Sequence, residues 1–295
     1  ATGATMNITS SQNQGAVTAQ VAGGIIGYNY SSIPVNVVLN SVTNSAAINA
    51  SISFEITSAN FNSVAGGLIG TSARNAGSAT INNSTNTGNL LGRYVGGIAA
   101  YAYNLVLNNV TNSGSLTNNY TYLTNAGGIG GLVYYGYGLI TINSSVNSGA
   151  ITSDNYWSYI GGLIAYAKDA RINNCTSTIN FTTNLSTDVA GNNAVGGLIG
   201  YTNNSSLLEI SNCKVSMNIE VNATYVGGIV GEAASNGVGN APHRDVYGGN
   251  GSVEPLLHKI VDPIIDGGVF FYKLSHKWDG KICQYHRTDP SHGVD

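Results

Sequence analysis

Charge is the scarcest commodity in this chain: 11 Lys and Arg and 14 Asp and Glu among 295 residues, for a net charge of -3. No basic run is available to neutralise phosphates or to grip an anionic lipid surface, so no nucleic-acid partner is expected. Long hydrophobic runs are missing too. The longest, "GGIGGLVYYGYGLITI" from Gly127, falls short of the ~20 residues of a membrane helix and is broken by Gly, so no membrane insertion is expected. There are only 5 Pro, 2 Met and 2 Trp, and 3 Cys, an odd number that leaves one thiol over from any pairing within the chain. Low charge does not mean disorder here, because 42% of residues are hydrophobic and 18 are Tyr, whereas disordered chains combine high charge with few apolar groups. The sequence begins at Ala1 without an initiator Met, so a signal peptide is expected to have been removed or never included, and secretion has to be argued from other features.

What the chain has in abundance is Gly, Asn, Ser and Thr, and they recur in order. The copies are "GGIIGY" at Gly23, "GGLIGT" at Gly66, "GGIAAY" at Gly96, "GGIGGL" at Gly127, "GGLIAY" at Gly161, "GGLIGY" at Gly196 and "GGIVGE" at Gly227, with steps of 43, 30, 31, 34, 35 and 31 residues. A second half repeats after Ile8, Leu39, Ile81, Leu107, Ile142, Ile172 and Ile210. Asn40, Asn82, Asn108, Asn143 and Asn173 follow that aliphatic residue, and a second Asn column carries Asn13, Asn44, Asn86, Asn112 and Asn147. A period of this size marks a repeat architecture. Helical repeats need Ala, Leu, Glu and Lys at 3.6-residue spacing, and a Gly pair in every unit would cost ~2 kcal/mol of helix each time. Strands are therefore expected. Units stacked at ~4.8 Å would make a parallel β-solenoid, an all-β fold of about seven coils of 30–35 residues, in which the Asn columns become ladders of side-chain amides.

The pattern "VGGIVG", then "I-N-N-S" or "I-x-N-C", then "N-x-G-x-I/L" resembles the GLUG repeat of bacterial and protist surface proteins, over residues 1 to about 235. The resemblance implies an extracellular, cell-surface, adhesin-like protein and brings no catalytic residues. Ile179 and Met217 stand where the repeat has Gly in its second half. From about residue 241 the composition changes: residues 241–295 hold all five His, four of the five Pro and 13 charged residues. This segment is expected to be a β-rich cap or connector, separate from solenoid repeats at 1–240.

Candidate chemistry is sparse. No segment fits a nucleotide-binding glycine loop, because the Gly pairs recur instead of opening one helix. A polysaccharide-degrading enzyme would need converging carboxylates, yet Glu55, Asp154, Asp169, Asp188, Glu209, Glu220 and Glu232 fall in different units and unit positions. No enzyme activity, cofactor or metal is expected; Cys283 and His286 alone do not make a zinc site. Cys175 and Cys213 occupy the same position of consecutive units, which suits both a disulfide and a stacked pair of free thiols. Asn-x-Ser/Thr sequons exceed the number that composition alone would produce, and Asn83, Asn109, Asn143, Asn174, Asn184, Asn204 and Asn222 are glycosylation candidates. Tyr28, Tyr101, Tyr166 and Tyr201 share one unit position. They form either a packing ladder, the favoured reading, or a sugar-stacking strip.

The stretch "VGGLIGY", Val195–Tyr201, has no polar side chain on either face, so one uninterrupted strand covered on both sides is expected, with glycines that are not turns. The repeat begins mid-unit, leaving a strand edge for an upstream segment or another molecule. The leading expectation is an extracellular, glycosylated structural protein that self-associates head to tail into a fibre or surface layer. A monomeric adhesin that binds carbohydrate is the alternative, and a polysaccharide-degrading enzyme ranks third.

Overall fold

The computed structural model describes residues 4–29, 35–50, 63–72, 77–118, 127–153, 158–183, 194–203, 205–218, 223 and 225–234. The cap or connector expected at 241–295, with Cys283 and every His, lies outside them.

All elements among the described residues are strands. The first rung runs through Ala4–Thr9, Gln12–Asn13, Val17–Thr18, Val21–Gly23 and Ile26–Asn29, and the third repeats these as Ser78–Asn82, Thr85–Asn86, Leu90–Leu91, Tyr94–Gly96 and Ala99–Ala102. Each segment pairs in parallel with its equivalents above and below, like over like. Ile81 lies between Leu39 and Leu107, Asn86 between Asn44 and Asn112, Leu90 between Ile48 and Leu116, and Val95 between Ala65 and Ile129. The fourth of these columns, here the wall, forms a seven-stranded sheet. This is the expected parallel β-solenoid. The fifth segment, the trailing strand, flows into the leading strand of the next rung, most visibly in the single strand Val133–Asn143.

The first corner follows the leading Ile-Asn or Leu-Asn pair, or Ile210–Ser211 in the last rung. There Ser41, Asn83, Asn109, Ser144, Asn174 and Asn212 have φ of 54°, 47°, 53°, 49°, 54° and 53°. Asn and Ser accept this left-handed conformation because a short polar side chain bonds locally and offsets the Cβ clash. Beyond it the second Asn column turns inward and is fully buried from Asn44 to Asn147. Its amides bond along the axis: Asn13, Asn44, Asn86 and Asn112 each donate from Nδ2 to Oδ1 of the next rung, to Asn44, Asn86, Asn112 and Asn147, all at 2.8 Å. The second Nδ2 hydrogens of Asn44, Asn86 and Asn112 go to the carbonyls of Ala46, Gly88 and Gly114, which fixes the amide orientation. The outer Asn column bonds in the opposite sense, each later rung donating to the earlier one, from Asn82 to Asn40, Asn108 to Asn82 and Asn143 to Asn108, at 2.7–2.9 Å.

The core has two parts. The larger is formed by the leading and trailing strands, with Leu39, Ile81, Leu107, Ile142, Leu68, Ile98, Leu132 and Leu163. The smaller lies under the wall, with Ile48, Leu90, Leu116, Val95, Ile129 and Ile160. Two expectations are corrected here. "VGGLIGY" is not one strand: Ala194–Gly196 and Ile199–Asn203 are separate, and the break is a corner that puts Val195 in the smaller core and Leu198 and Ile199 in the larger. The second Gly of the pair makes that corner possible. In the third rung, a Cβ on Gly97 would clash with the carbonyl oxygen of Gly131 and sit 2.7 Å from Cγ of Asn112, so the inner amide ladder lies directly against the glycine column. The fourth unit is also displaced. Its corner is Gly130–Gly131 rather than Gly127–Gly128, in register with Gly96 and Gly161. The run "GGIGG" offers two pairs, and only at Gly131 does the inner ladder, through Asn147, occupy the place of a Cβ; at Gly128 that place is taken by Tyr134.

Candidate functional site

The outer face of the wall and trailing strands carries the most distinctive side chains. Along the trailing strands one column reads Tyr28, Thr71, Tyr101, Tyr135, Tyr166, Tyr201, Glu232. Tyr28, Tyr101, Tyr166 and Tyr201 thus share a column, as their spacing implied. Tyr135 completes it, hidden from the sequence reading by the displaced fourth unit. The wall column reads Val21, Val64, Tyr94, Gly128, Tyr159, Ala194, Tyr225, with large and small residues alternating from Tyr94 onward. Tyr134 fills the position held by Ala100 and Ala165 in neighbouring rungs. It covers Gly128, so in the fourth rung the bulky partner has moved from the wall to the trailing strand.

The rings pack on each other across and along these columns. Tyr135 and Tyr166 stack at 4.1 Å and 4°, and Tyr159 and Tyr201 at 4.4 Å and 13°. Tyr134 lies 5.0 Å from Tyr94 and 5.2 Å from Tyr101. Arg93 caps one end, its guanidinium 4.6 Å from the centre of the Tyr94 ring, a cation–π contact on a mostly buried side chain. Tyr101 and Tyr134 are 6% and 5% exposed, against 52% for Tyr28. Burial pushes the Tyr101 and Tyr134 phenols well above their ordinary range. Tyr159 is raised to about 12 by burial and then by the charge of Glu232, and Tyr201 is raised by burial first and then by Tyr159 and Glu232. A sugar-stacking strip presents free ring faces; Tyr101, Tyr166 and Tyr201 instead pack against neighbouring rings, while Tyr28 is 52% exposed. The arrangement serves as an aromatic spine.

The sequons divide by their place in the rung. Asn83, Asn109 and Asn174 sit exposed at the left-handed corner. Asn109 donates to Oδ1 of Asn83 at 2.8 Å and Asn174 to Oγ of Ser144 at 3.1 Å, while the Asn83 side chain accepts and its Nδ2 donates to no described residue. Asn143 is half-buried, with its Nδ2 committed to the outer ladder. Asn184, Asn204 and Asn222 lie outside the described residues.

Cys175 and Cys213 are buried free thiols one rung apart. Each thiol bears on the other's ionisation: its neighbour, with burial adding to the effect, makes Cys175 harder to ionise, and the same pairing makes Cys213 easier. Each also bonds the carbonyl two residues before it, of Asn173 and Ser211, at 3.2 and 3.1 Å. The described acids do not converge. Asp169 accepts from the backbone N–H groups of Ser206 and Leu207 at 2.8 and 2.9 Å, holding the next rung's loop. Glu209 pairs with Arg171 at 2.9 Å on the surface, and Glu232 ends the tyrosine column. Glu55, Asp154, Asp188 and Glu220 lie outside the described residues.

The sixth rung, with its Gly196–Gly197 corner, is where comparison with known families gives a result. Residues 191–220 match the GLUG motif. The matched stretch carries the wall and trailing strands of this rung and the leading strand of the next, with its Gly pair at the corner between wall and trailing strand. No curated protein and no solved structure matches the chain.

Proposed function

We propose that this GLUG-repeat solenoid is an extracellular structural subunit that joins end to end into a fibre or surface layer and carries N-linked glycans at its corners. The observation that carries this reading is the like-over-like stack: Ile81 lies between Leu39 and Leu107, and Asn86 between Asn44 and Asn112, so the face of one rung is a template for the next. A rung from a second copy would continue the register, and such a heterologous contact grows without limit unless its rotation closes a ring. The rest of the molecule fits this use, since its amide ladders and stacked rings hold rung to rung. Glycans fit the exposed corner residues, Asn83 above all.

Sedimentation velocity and electron microscopy of the full chain over a range of concentrations test the proposal. Elongated assemblies that lengthen with concentration are expected, and a monodisperse monomer at every concentration would overturn it. Carbohydrate binding is a second reading, favoured by the exposure of Tyr28. Glycan-array binding that is lost on Tyr28→Ala would support it.

A further inference from the structure

The aromatic spine is continuous in a way that packing does not require. Tyr94, Tyr101, Tyr135, Tyr166, Tyr201 and Tyr159 form one chain of ring contacts with centroid steps of 5.7, 5.6, 4.1, 5.3 and 4.4 Å. Phenols in contact pass a one-electron oxidation from ring to ring, and two neighbouring phenoxyl radicals couple. The ends of this chain differ in charge. At one, the guanidinium of Arg93 lies over Tyr94, and a nearby cation opposes removal of an electron. At the other, Glu232 follows Tyr201 in the column and its charge acts on both Tyr159 and Tyr201. A carboxylate there favours the oxidised ring and can take up the phenolic proton. The closest parallel pair at that end is Tyr159 with Tyr201, at 4.4 Å and 13°.

We propose that Tyr159 and Tyr201 are an oxidative cross-linking site, joined by a carbon–carbon bond between ring positions ortho to the hydroxyls when a peroxidase-type oxidant supplied with hydrogen peroxide acts on the spine. Each phenol gives up one electron and one proton. The two radicals couple, and the ring hydrogens at the new bond shift to oxygen and restore both phenols. The peroxide takes the two electrons and two protons and leaves as two waters, so the chain loses two hydrogens. The bond joins a wall strand of the fifth rung to a trailing strand of the sixth and staples the stack from outside. None of this depends on self-association.

The test treats the full chain, diluted until it sediments as a monomer, with a haem peroxidase and hydrogen peroxide. It reads dityrosine fluorescence, intact mass and cross-linked peptides by tandem mass spectrometry. Expected are monomers lighter by two hydrogens and a peptide pair joining Tyr159 to Tyr201. That pair should vanish in Tyr159→Phe and in Tyr201→Phe, each melting as the parent does, and should persist in Tyr28→Phe. Glu232→Gln should slow its formation. The proposal is overturned if treated monomers keep their mass, if coupling joins only the exposed Tyr28 or Tyr103, 52% and 37% accessible, of separate molecules, or if the intramolecular bond maps elsewhere and survives both Phe variants.

Discussion

Replacing Asn112 by Ala asks whether the buried amide ladder is a set of independent contacts or a chain whose interior links carry more than its end. Asn112 accepts from Asn86 and donates to Asn147, both at 2.8 Å, and donates to the Gly114 carbonyl at 3.2 Å. Truncation removes three bonds at once. It leaves a ladder hydrogen of Asn86, the Oδ1 of Asn147 and the Gly114 carbonyl short of partners in a fully buried site. At ~1 kcal/mol per bond, with desolvation of the abandoned groups added, the loss should be ~3 to 5 kcal/mol. Asn147 is the control within the same column. It accepts from Asn112, but its Nδ2 already lacks a partner because Ser177 occupies the next rung. Asn147→Ala therefore sacrifices one ladder bond and a long 3.4 Å bond from the Gly149 N–H while removing an orphaned donor, and the net cost should be ~1 to 2 kcal/mol. Urea denaturation followed by tyrosine fluorescence and far-ultraviolet circular dichroism measures both, and the slope of each transition checks that the same surface unfolds. Equal destabilisation by the two substitutions would refute the reasoning, since position along the ladder would then not matter.

Four further outcomes follow from the same geometry. Ser177→Asn supplies Oδ1 to the orphaned Nδ2 of Asn147 and should stabilise the chain by ~1 kcal/mol in the same denaturation assay. Gly97→Ala drives a Cβ into the Gly131 carbonyl and should cost ~3 kcal/mol or more, whereas Gly15→Ala, whose nearest neighbour would be Oδ1 of Asn13 at 3.9 Å, should stay within ~0.5 kcal/mol. Oxidised glutathione should join Cys175 to Cys213, read as two thiols lost from the thiol count, and raise stability by ~3 kcal/mol; Cys213→Ser should abolish the gain. Alkali should unfold the spine. Tyr159 is held at about 12 in the fold against an ordinary 10.0, so between these values the unfolded chain sheds its proton while the folded chain keeps it. The stability from the raised phenols is thus complete below about 10 and is lost as pH rises towards 12, and a spectrophotometric phenol titration should show these groups ionising together with unfolding.

The rung was legible in the sequence because stacking places identical positions over one another, and an interval in the chain then becomes a column in space. The aliphatic and Asn columns follow directly. What was not legible depends on competition between near-identical signals or on contacts across a corner. "GGIGG" contains two candidate corners one strand apart, and the choice falls on the pair opposite Asn147, a residue distant in sequence. The wall column was invisible for a related reason. Tyr94 and Tyr159 alternate with Gly128 and Ala194, so no single column repeats, and the aromatic layer emerges only when two strands are laid side by side. The corner in "VGGLIGY" was missed because alternation is a rule for straight strands, whereas Leu198 and Ile199 enter the same core by turning. The end of the inner ladder at Ser177 was visible as a residue change, but its cost depends on Asn147 being fully enclosed.

The opposed sense of the two amide columns has a consequence for growth. Amide dipoles aligned head to tail would add up with every rung and leave partial charges at the two ends, as in a helix. With the inner column running one way and the outer the other, their contributions largely cancel, so lengthening the stack accumulates no axial field. The molecule nevertheless keeps a direction. A rung added upside down would set donor against donor in one column and acceptor against acceptor in the other. The columns thus act as a polarity check on each new layer while imposing no electrostatic limit on how many layers there can be.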